Sequence, residues 1–387
     1  MSRATTPTDS APSGEHRALL AESVADFTAR GTDIARVRRL RGTGTEHDRA
    51  VWKSMAELGW LGILVPERYG GLGLGLSEMA IVARQLARAL TPEPLTGAAV
   101  LAAGALVESD NETLKREQLP LLAGGEMLPA LAWQEDAGAL DPAVIRTRAT
   151  PFEGGYKLNG VKRYIAGAAQ ADAFLVTAQA ADGMVLLWVP RGTAGARLGL
   201  DPLADGRSFG TLELNAALAP KAHVAASGAA AAAALASALD HATVIAGAEL
   251  LGVMDRALEM SLDYLRTRVQ FGKPIGAFQA LQHRAVDLHI HKELAAAVLE
   301  EALAVLDSNP DAATRAALAS RVKARCSDAA LKITREAIQL HGAIGFTDEY
   351  DAGLYLKRAL TLAAWLGHAT WHRRRYARLT LAAGSRA

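Results

Sequence analysis

The sequence predicts an α+β chain, mostly helical: an N-terminal α-helical domain, a middle antiparallel β-sandwich or barrel, and a C-terminal four-helix bundle. Two observations predict it. Hydrophobic periodicity changes from helical to strand-like near residue 128 and returns to helical beyond residue 235. Turn residues punctuate the middle stretch at short intervals, with no helical pattern between them. The expected division is a disordered leader over 1–14, then domains over 15–125, 126–235 and 236–387.

In the first part, "HRALLAESVADFTARG" has apolar residues at helical spacing and stops at Gly31. "DRAVWKSMAELGWLG" repeats the pattern, with Val51, Met55 and Leu58 expected on one face. The glycine-rich "VPERYGGLGLGL" reads as a loop. "SEMAIVARQLARAL" is a helix with Ser77 as its expected N-cap, ending before Pro92. In the middle part, "LPALAWQ", "VIRTRATPF", "GYKLNGVKRYIA", "DAFLVTAQ", "MVLLWVP" and "GTLELNAAL" read as strands. Gly154-Gly155, Asn159-Gly160 and Asp182-Gly183 are the expected turns. After an alanine-rich passage at 225–239, four long helical patterns follow, beginning at about residues 241, 277, 311 and 349.

Bulk composition excludes several classes. Net charge is +1, so no global field draws the chain to nucleic acid or to an anionic membrane. The run Arg373, Arg374, Arg375 is the local hint of nucleic-acid binding and reads as a solvated or interfacial helix face. One cysteine, Cys326, permits neither an intramolecular disulfide nor a multi-cysteine metal site. The alanine-rich passage is too short and too weakly apolar for a membrane span. The expected location is the cytoplasm, with no metal, no nucleic acid and no membrane.

Three stretches carry a resemblance. "LGWLGILVPERYGGLGLGLSE" (58–78), "RTRVQFGKPIGAFQALQH" (266–283) and "QLHGAIGFTDEYDAGLYLKRA" (339–359) resemble, in order and spacing, signatures of the acyl-CoA dehydrogenase family. The resemblance runs from about residue 18 to 380. It implies FAD as cofactor, an acyl-CoA substrate oxidised to the trans-2-enoyl thioester, and electron-transfer flavoprotein as acceptor. It also implies an FAD shared between subunits: one subunit holds the isoalloxazine and the base, and its neighbour lends residues to the pyrophosphate and adenine.

The lent half is kept. By resemblance, Arg268 matches the pyrophosphate arginine, Phe271 the aromatic at the adenine end, and Gln279 and Gln339 the polar contacts from the bundle. Gly342 matches a turn glycine, although the next residue is Ala343. The home half departs from the family. "WQEDAGALD" (133–141) stands for Thr-Glu-Pro-Gly-Ala-Gly-Ser-Asp, with Gln134, Asp136 and Leu140 replacing Thr, Pro and Ser. In "KRYIAGAA", Tyr164 replaces the aromatic packed near the flavin, and Ala166 replaces the hydroxyl residue near flavin N5. The two positions at which the family places its base hold Leu366 and Ala242, neither of which accepts a proton. Asp240, His241, Glu249 and His368 lie nearby in sequence. Asp240 is expected to be a helix cap, Glu249 a polar interface residue, and His368 a helix-surface or subunit-interface histidine; a histidine would also be a different class of base.

This one-sided loss predicts the base-less subunit of an α₂β₂ acyl-CoA dehydrogenase, working with a glutamate-bearing partner in a tetramer. Three alternatives stay open: an active homo-oligomer with a displaced carboxylate, a flavin-fold protein that binds acyl-CoA or a partner without turnover, and a related flavoenzyme of different chemistry. Leu366 counts against a nitroalkane oxidase-like member, which also keeps a carboxylate there.

Overall fold

The computed structural model describes residues 14–31, 34–41, 47–138 and 140–384. The expected leader lies outside these residues except for Gly14, which begins the first helix. The N-terminal part holds α1 (Gly14–Gly31), α2 (Ile34–Leu40), α3 (Arg49–Glu57), α4 (Leu76–Arg88), α5 (Ala103–Val107) and α6 (Glu112–Ala123). Asp48 and Asn111 cap α3 and α6 by accepting from Ala50 N and Leu114 N. A wide π-helical stretch, Thr96–Ala102, leads into α5. Two expectations fail here. Leu58 is not on the buried face of α3 but caps its end, 46% exposed. Ser77 lies inside α4, and Gly75 is the N-cap, with the Glu78 carboxylate accepting its N–H.

The middle part is one sheet of β1 (Pro129–Ala132), β2 (Arg148–Phe152), β3 (Gly155–Ala166), β4 (Ala173–Ala180), β5 (Gly183–Pro190), β6 (Ala196–Pro202), β7 (Ser208–Pro220) and β8 (Val224–Ser227). The order is β6-β7-β3-β2-β4-β5-β8, with β1 beside β4. Most pairings are antiparallel, while β1 and β2 each meet β4 in parallel. Gly154-Gly155 and Asp182-Gly183 do turn the chain, but Asn159-Gly160 sits inside β3 at a register shift against β7.

The bundle consists of α7 (Gly228–Thr267), α8 (Gln279–Leu306), α9 (Ala312–His341), α10 (Ala352–Ala364) and α11 (Ala369–Gly384). Between α7 and α8 lies a small hairpin of β9 (Val269–Gln270) and β10 (Lys273–Pro274). The 40-residue α7 absorbs much of the alanine-rich passage and runs through the expected 235/236 division. It is long and apolar enough to cross a membrane, yet 61% of its most apolar window is buried, so it is the core helix of the bundle. The last expected helix is broken. Leu366 and Gly367 both take positive φ, 59° and 106°, and separate α10 from α11. A β-turn-like break with a non-glycine residue at φ 59° costs energy that a surrounding structure must offset.

Candidate functional site

Two places gather the residues singled out by sequence. The first is the end of the bundle where α7 stops, α8 starts and α9 stops. Tyr264 near the end of α7 stacks on His341 at the end of α9, with ring centroids 4.6 Å apart. Arg284 near the start of α8 donates Nε to Glu336 of α9 at 3.0 Å. These contacts bring Arg268, Phe271, Gln279, Gln339 and Gly342 to one end of the molecule. All five are exposed. The Arg268 side chain has no hydrogen bond or ion pair among the described residues, although its backbone is fixed to Tyr264 and Ile275. Phe271 is 91% exposed and takes φ 55° beside Gly272 at 77°. Two consecutive positive φ values are what a two-residue hairpin turn of the primed type needs, and phenylalanine is a costly choice for one. Gly342 adopts φ 64° and ψ −138°, a region open only to glycine, and a Cβ there would meet nothing within 4 Å. An exposed guanidinium fork, two carboxamides and open glycine backbone suit the pyrophosphate and adenine end of an FAD molecule.

The second place is the interior around Leu366. A cleft of about 910 Å³ opens between the 133–144 loop and the bundle, lined by Leu140, Leu239, Asp240, Leu366, Trp371 and Arg375. Leu366 is buried and aliphatic, as is Ala242. The Leu366 loop is braced from below. His372 of α11 donates Nε2–H to the Leu366 carbonyl at 2.9 Å. Burial and the nearby Lys323 push His372 down to about 3, so its imidazole is neutral. Lys323 of α9 donates Nζ to the carbonyls of Ala363 and Gly367 at 3.1 and 2.8 Å. With no carboxylate beside it, burial lowers this lysine to about 7. A cation at the C-terminal end of α10 also suits the helix dipole.

Neither Asp240 nor Glu249 is free to stand in for the base. Asp240 is not the expected helix cap: α7 begins twelve residues earlier, and Asp240 is buried between Arg375 at 2.8 Å and Arg315 at 3.5 Å. Burial raises its carboxyl against the pull of both arginines. Glu249 accepts from Arg358 Nη2 and from Thr96 Oγ1, each at 2.5 Å. It is a buried link between the N-terminal part and the bundle. Arg358 also donates to Asp205 at 3.0 Å. The same cluster includes Arg207, which burial and Arg358 lower to about 10. His368 is exposed, as expected, and its Nδ1 accepts from Trp371 N at 3.3 Å.

The remaining home-half residues are not assembled with Leu366. Ala166 lines a separate cavity of about 50 Å³ with Thr96, Glu249, Arg358 and Trp365. A Cβ on Gly97 would already be 3.4 Å from Ala166. Tyr164, at φ 57°, packs edge-on against Phe209 at 6.3 Å. An isoalloxazine that met both position 166 and position 366 would need one continuous space. The Arg358–Glu249 pair and Thr96 of the π-helical stretch line the cavity at Ala166, and Leu366 lines the other; the exposed residues at the bundle's end suit the outer part of an FAD molecule.

Sequence reasoning missed the Arg358–Glu249–Asp205 cluster and the two braces. One signal was readable: Ala316, Ala319, Lys323, Cys326 and Ala330 recur at helical spacing, which places a lysine in an apolar stripe. The partners of Arg358 come from positions 109 and 153 residues away, and no local pattern reports them.

A helical part, a sheet and a helical bundle, with a glycine turn and an arginine hairpin at the bundle's end, define a flavin-dependent acyl-CoA-oxidising class of protein. Two family models match: the acyl-CoA dehydrogenase N-terminal domain over residues 14–126 and the C-terminal domain over 231–381. The chain belongs to the acyl-CoA dehydrogenase family, whose cofactor is FAD. It is 32% identical to acyl-CoA dehydrogenase IpdE2 of Mycobacterium tuberculosis, over 89% of this chain and 91% of that protein. Among solved structures, it resembles the Tcur3481–Tcur3483 steroid acyl-CoA dehydrogenase G363A variant at 28% identity and a TM-score of 0.87, covering 97% and 99% of the two chains. It also resembles the ChsE4–ChsE5 complex of Mycobacterium tuberculosis at 26% identity and a TM-score of 0.86, covering 95% and 97%.

Proposed function

We propose that this chain is the flavin-lending, base-less subunit of a heteromeric acyl-CoA dehydrogenase. One observation carries the reading. The residues for a neighbour's FAD stand exposed and unengaged at one end of the bundle, while Leu366 and Ala166 line separate cavities in the interior. A partner bearing glutamate at the position of Leu366 supplies the base and holds the ring. Arg268 supplies a charge-assisted fork to the pyrophosphate, Gln279 and Gln339 add polar contacts, and Gly342 gives close backbone approach. FAD bound at the shared site would supply hydride acceptance for oxidation at the acyl β-carbon. This chain's share is to bind and orient it.

The heteromeric neighbours at 28% and 26% identity support an assembly of two subunit types. The steroid-directed neighbour supports a bulky, ring-bearing acyl-CoA as the substrate class, and electron-transfer flavoprotein is the proposed acceptor. The displaced-base alternative is weakened because Asp240 and Glu249 are both engaged by arginines. A non-redox binding role predicts no flavin reduction by any acyl-CoA, with or without a partner. The test is co-expression with the product of an adjacent acyl-CoA dehydrogenase gene. Dehydrogenation of a ring-bearing acyl-CoA by the pair, and by neither chain alone, is the expected result. Full activity of this chain alone would overturn the proposal.

A further inference from the structure

The segment that follows α9 starts at Gly342, passes Phe346 and reaches Asp351 before α10 begins. It is held from two directions. On the bundle side, His341 donates Nδ1–H to the Ala337 carbonyl at 2.6 Å, which leaves Nε2 to accept from Tyr350 Oη at 2.9 Å. The His341 ring lies 4.4 Å from that of Tyr350 and 4.6 Å from that of Tyr264. On the other side, Arg38 of α2 donates Nε and Nη2 to Asp351 Oδ1 at 3.1 and 2.7 Å, and Nη1 to the Asp348 carbonyl. Arg41 donates to Asp348 Oδ1 at 3.0 Å. That bond, with Arg38 behind it, holds the Asp348 carboxyl below its ordinary range. Between these two clamps the tip is bare: Phe346 is 79% exposed and Gly342 is open to solvent.

A short turn with exposed glycine backbone loses conformational freedom when a ligand orders it, and that loss weakens binding. Fixing the turn beforehand removes part of the cost. Isolated surface ion pairs contribute little. Arg38, however, spreads three donors over a carboxylate and a carbonyl, a geometry that specifies position as well as charge. We infer that Arg38 and Arg41 of α2, together with the His341–Tyr350 bond, are positioning residues that hold the 342–351 segment ready for the partner subunit's FAD. The N-terminal α2 of this chain thereby sets flavin affinity in the neighbouring subunit. The inference rests on the lending role proposed above.

The experiment uses the assembled pair with its glutamate-bearing partner, stripped of flavin and titrated with FAD. Tyr350→Phe deletes one hydroxyl and R38A deletes the fork. Each is expected to raise the Kd for FAD about five- to tenfold, as loss of one or two charge-assisted or neutral hydrogen bonds would. R38K is expected to recover part of that loss. At saturating FAD, kcat returns to the wild-type value, and the melting temperature of the flavin-free pair is unchanged. A lowered melting temperature with unchanged FAD affinity assigns these residues a purely structural part and overturns the inference. R268A separates the two levels. If R268A weakens FAD binding while Tyr350→Phe and R38A do not, the clamp is wrong and lending stands. If R268A has no effect, lending itself fails.

Discussion

The two ends of the bundle have opposite character. At the end where α7, α8 and α9 meet, Arg268, Gln279 and Gln339 are exposed, and the exposed Phe271 occupies a costly backbone conformation. In the interior, several buried or half-buried charges have partners: Glu249 with Arg358, Asp240 with Arg375, Lys323 with two carbonyls. On the proposed reading, these exposed groups belong to a site that another molecule completes. Satisfied groups in an interior belong to a core. On the proposed reading, the same fold carries the lent half of a flavin site at one end and ion pairs in its interior.

Several changes would break or sharpen that contrast. The largest effect belongs to the interior. Glu249→Ala leaves Arg358 and Asp205 in a buried, unbalanced cluster and is expected to cost about 3–5 kcal/mol in a urea-unfolding measurement. A cost below about 1 kcal/mol would mean the cluster is hydrated and the cavity open. Arg268→Ala is next. It is expected to weaken FAD binding by the assembled pair by about 2–3 kcal/mol, with the unfolding midpoint of this chain unaltered.

Acid comes third. His372 is held neutral at about 3 and His47 at about 4, mainly by burial, against an ordinary value of 6.5. The unfolded chain takes up protons that the folded chain refuses, so stability rises with pH between the folded and unfolded values and falls on acidification from 6.5. Each histidine contributes up to about 1.4 kcal/mol per pH unit in that window. His372→Phe should make the fall between pH 6.5 and 5 measurably shallower. The smallest effect is the most diagnostic of the contrast. Leu366→Ala, at a position the family uses for its base, should change the turnover of the assembled pair by less than about twofold if the partner holds the ring, as proposed.

Much of this contrast was readable from residue order. Leu366 and Ala242 announce a missing base, and the long signature around Arg268 announces a kept phosphate contact, because both depend on residue type at a fixed place in a helix. The sheet was readable through alternating strands such as "DAFLVTAQ", but β6, with an exposed sequence in "ARLGLDP", had no alternation to reveal it. The break at Leu366 and Gly367 was hidden because the flanking apolar spacing continues through it. The seal on the interior was hidden for a different reason. Arg358, Glu249, Asp205 and Thr96 come from three parts of the chain, and contacts of such separation leave no local pattern. Asp240 misled in the same way: its meaning as a buried partner of Arg375 depends on where α7 begins.

As proposed, this chain lends to a flavin site and does not own one. Flavin absorbance measured against protein mass, for the purified chain alone and for the pair with its glutamate-bearing partner, tests it most directly. The expected result is no FAD on the chain alone and one FAD per pair. One FAD per chain in a homo-oligomer that reduces its flavin with acyl-CoA would contradict it.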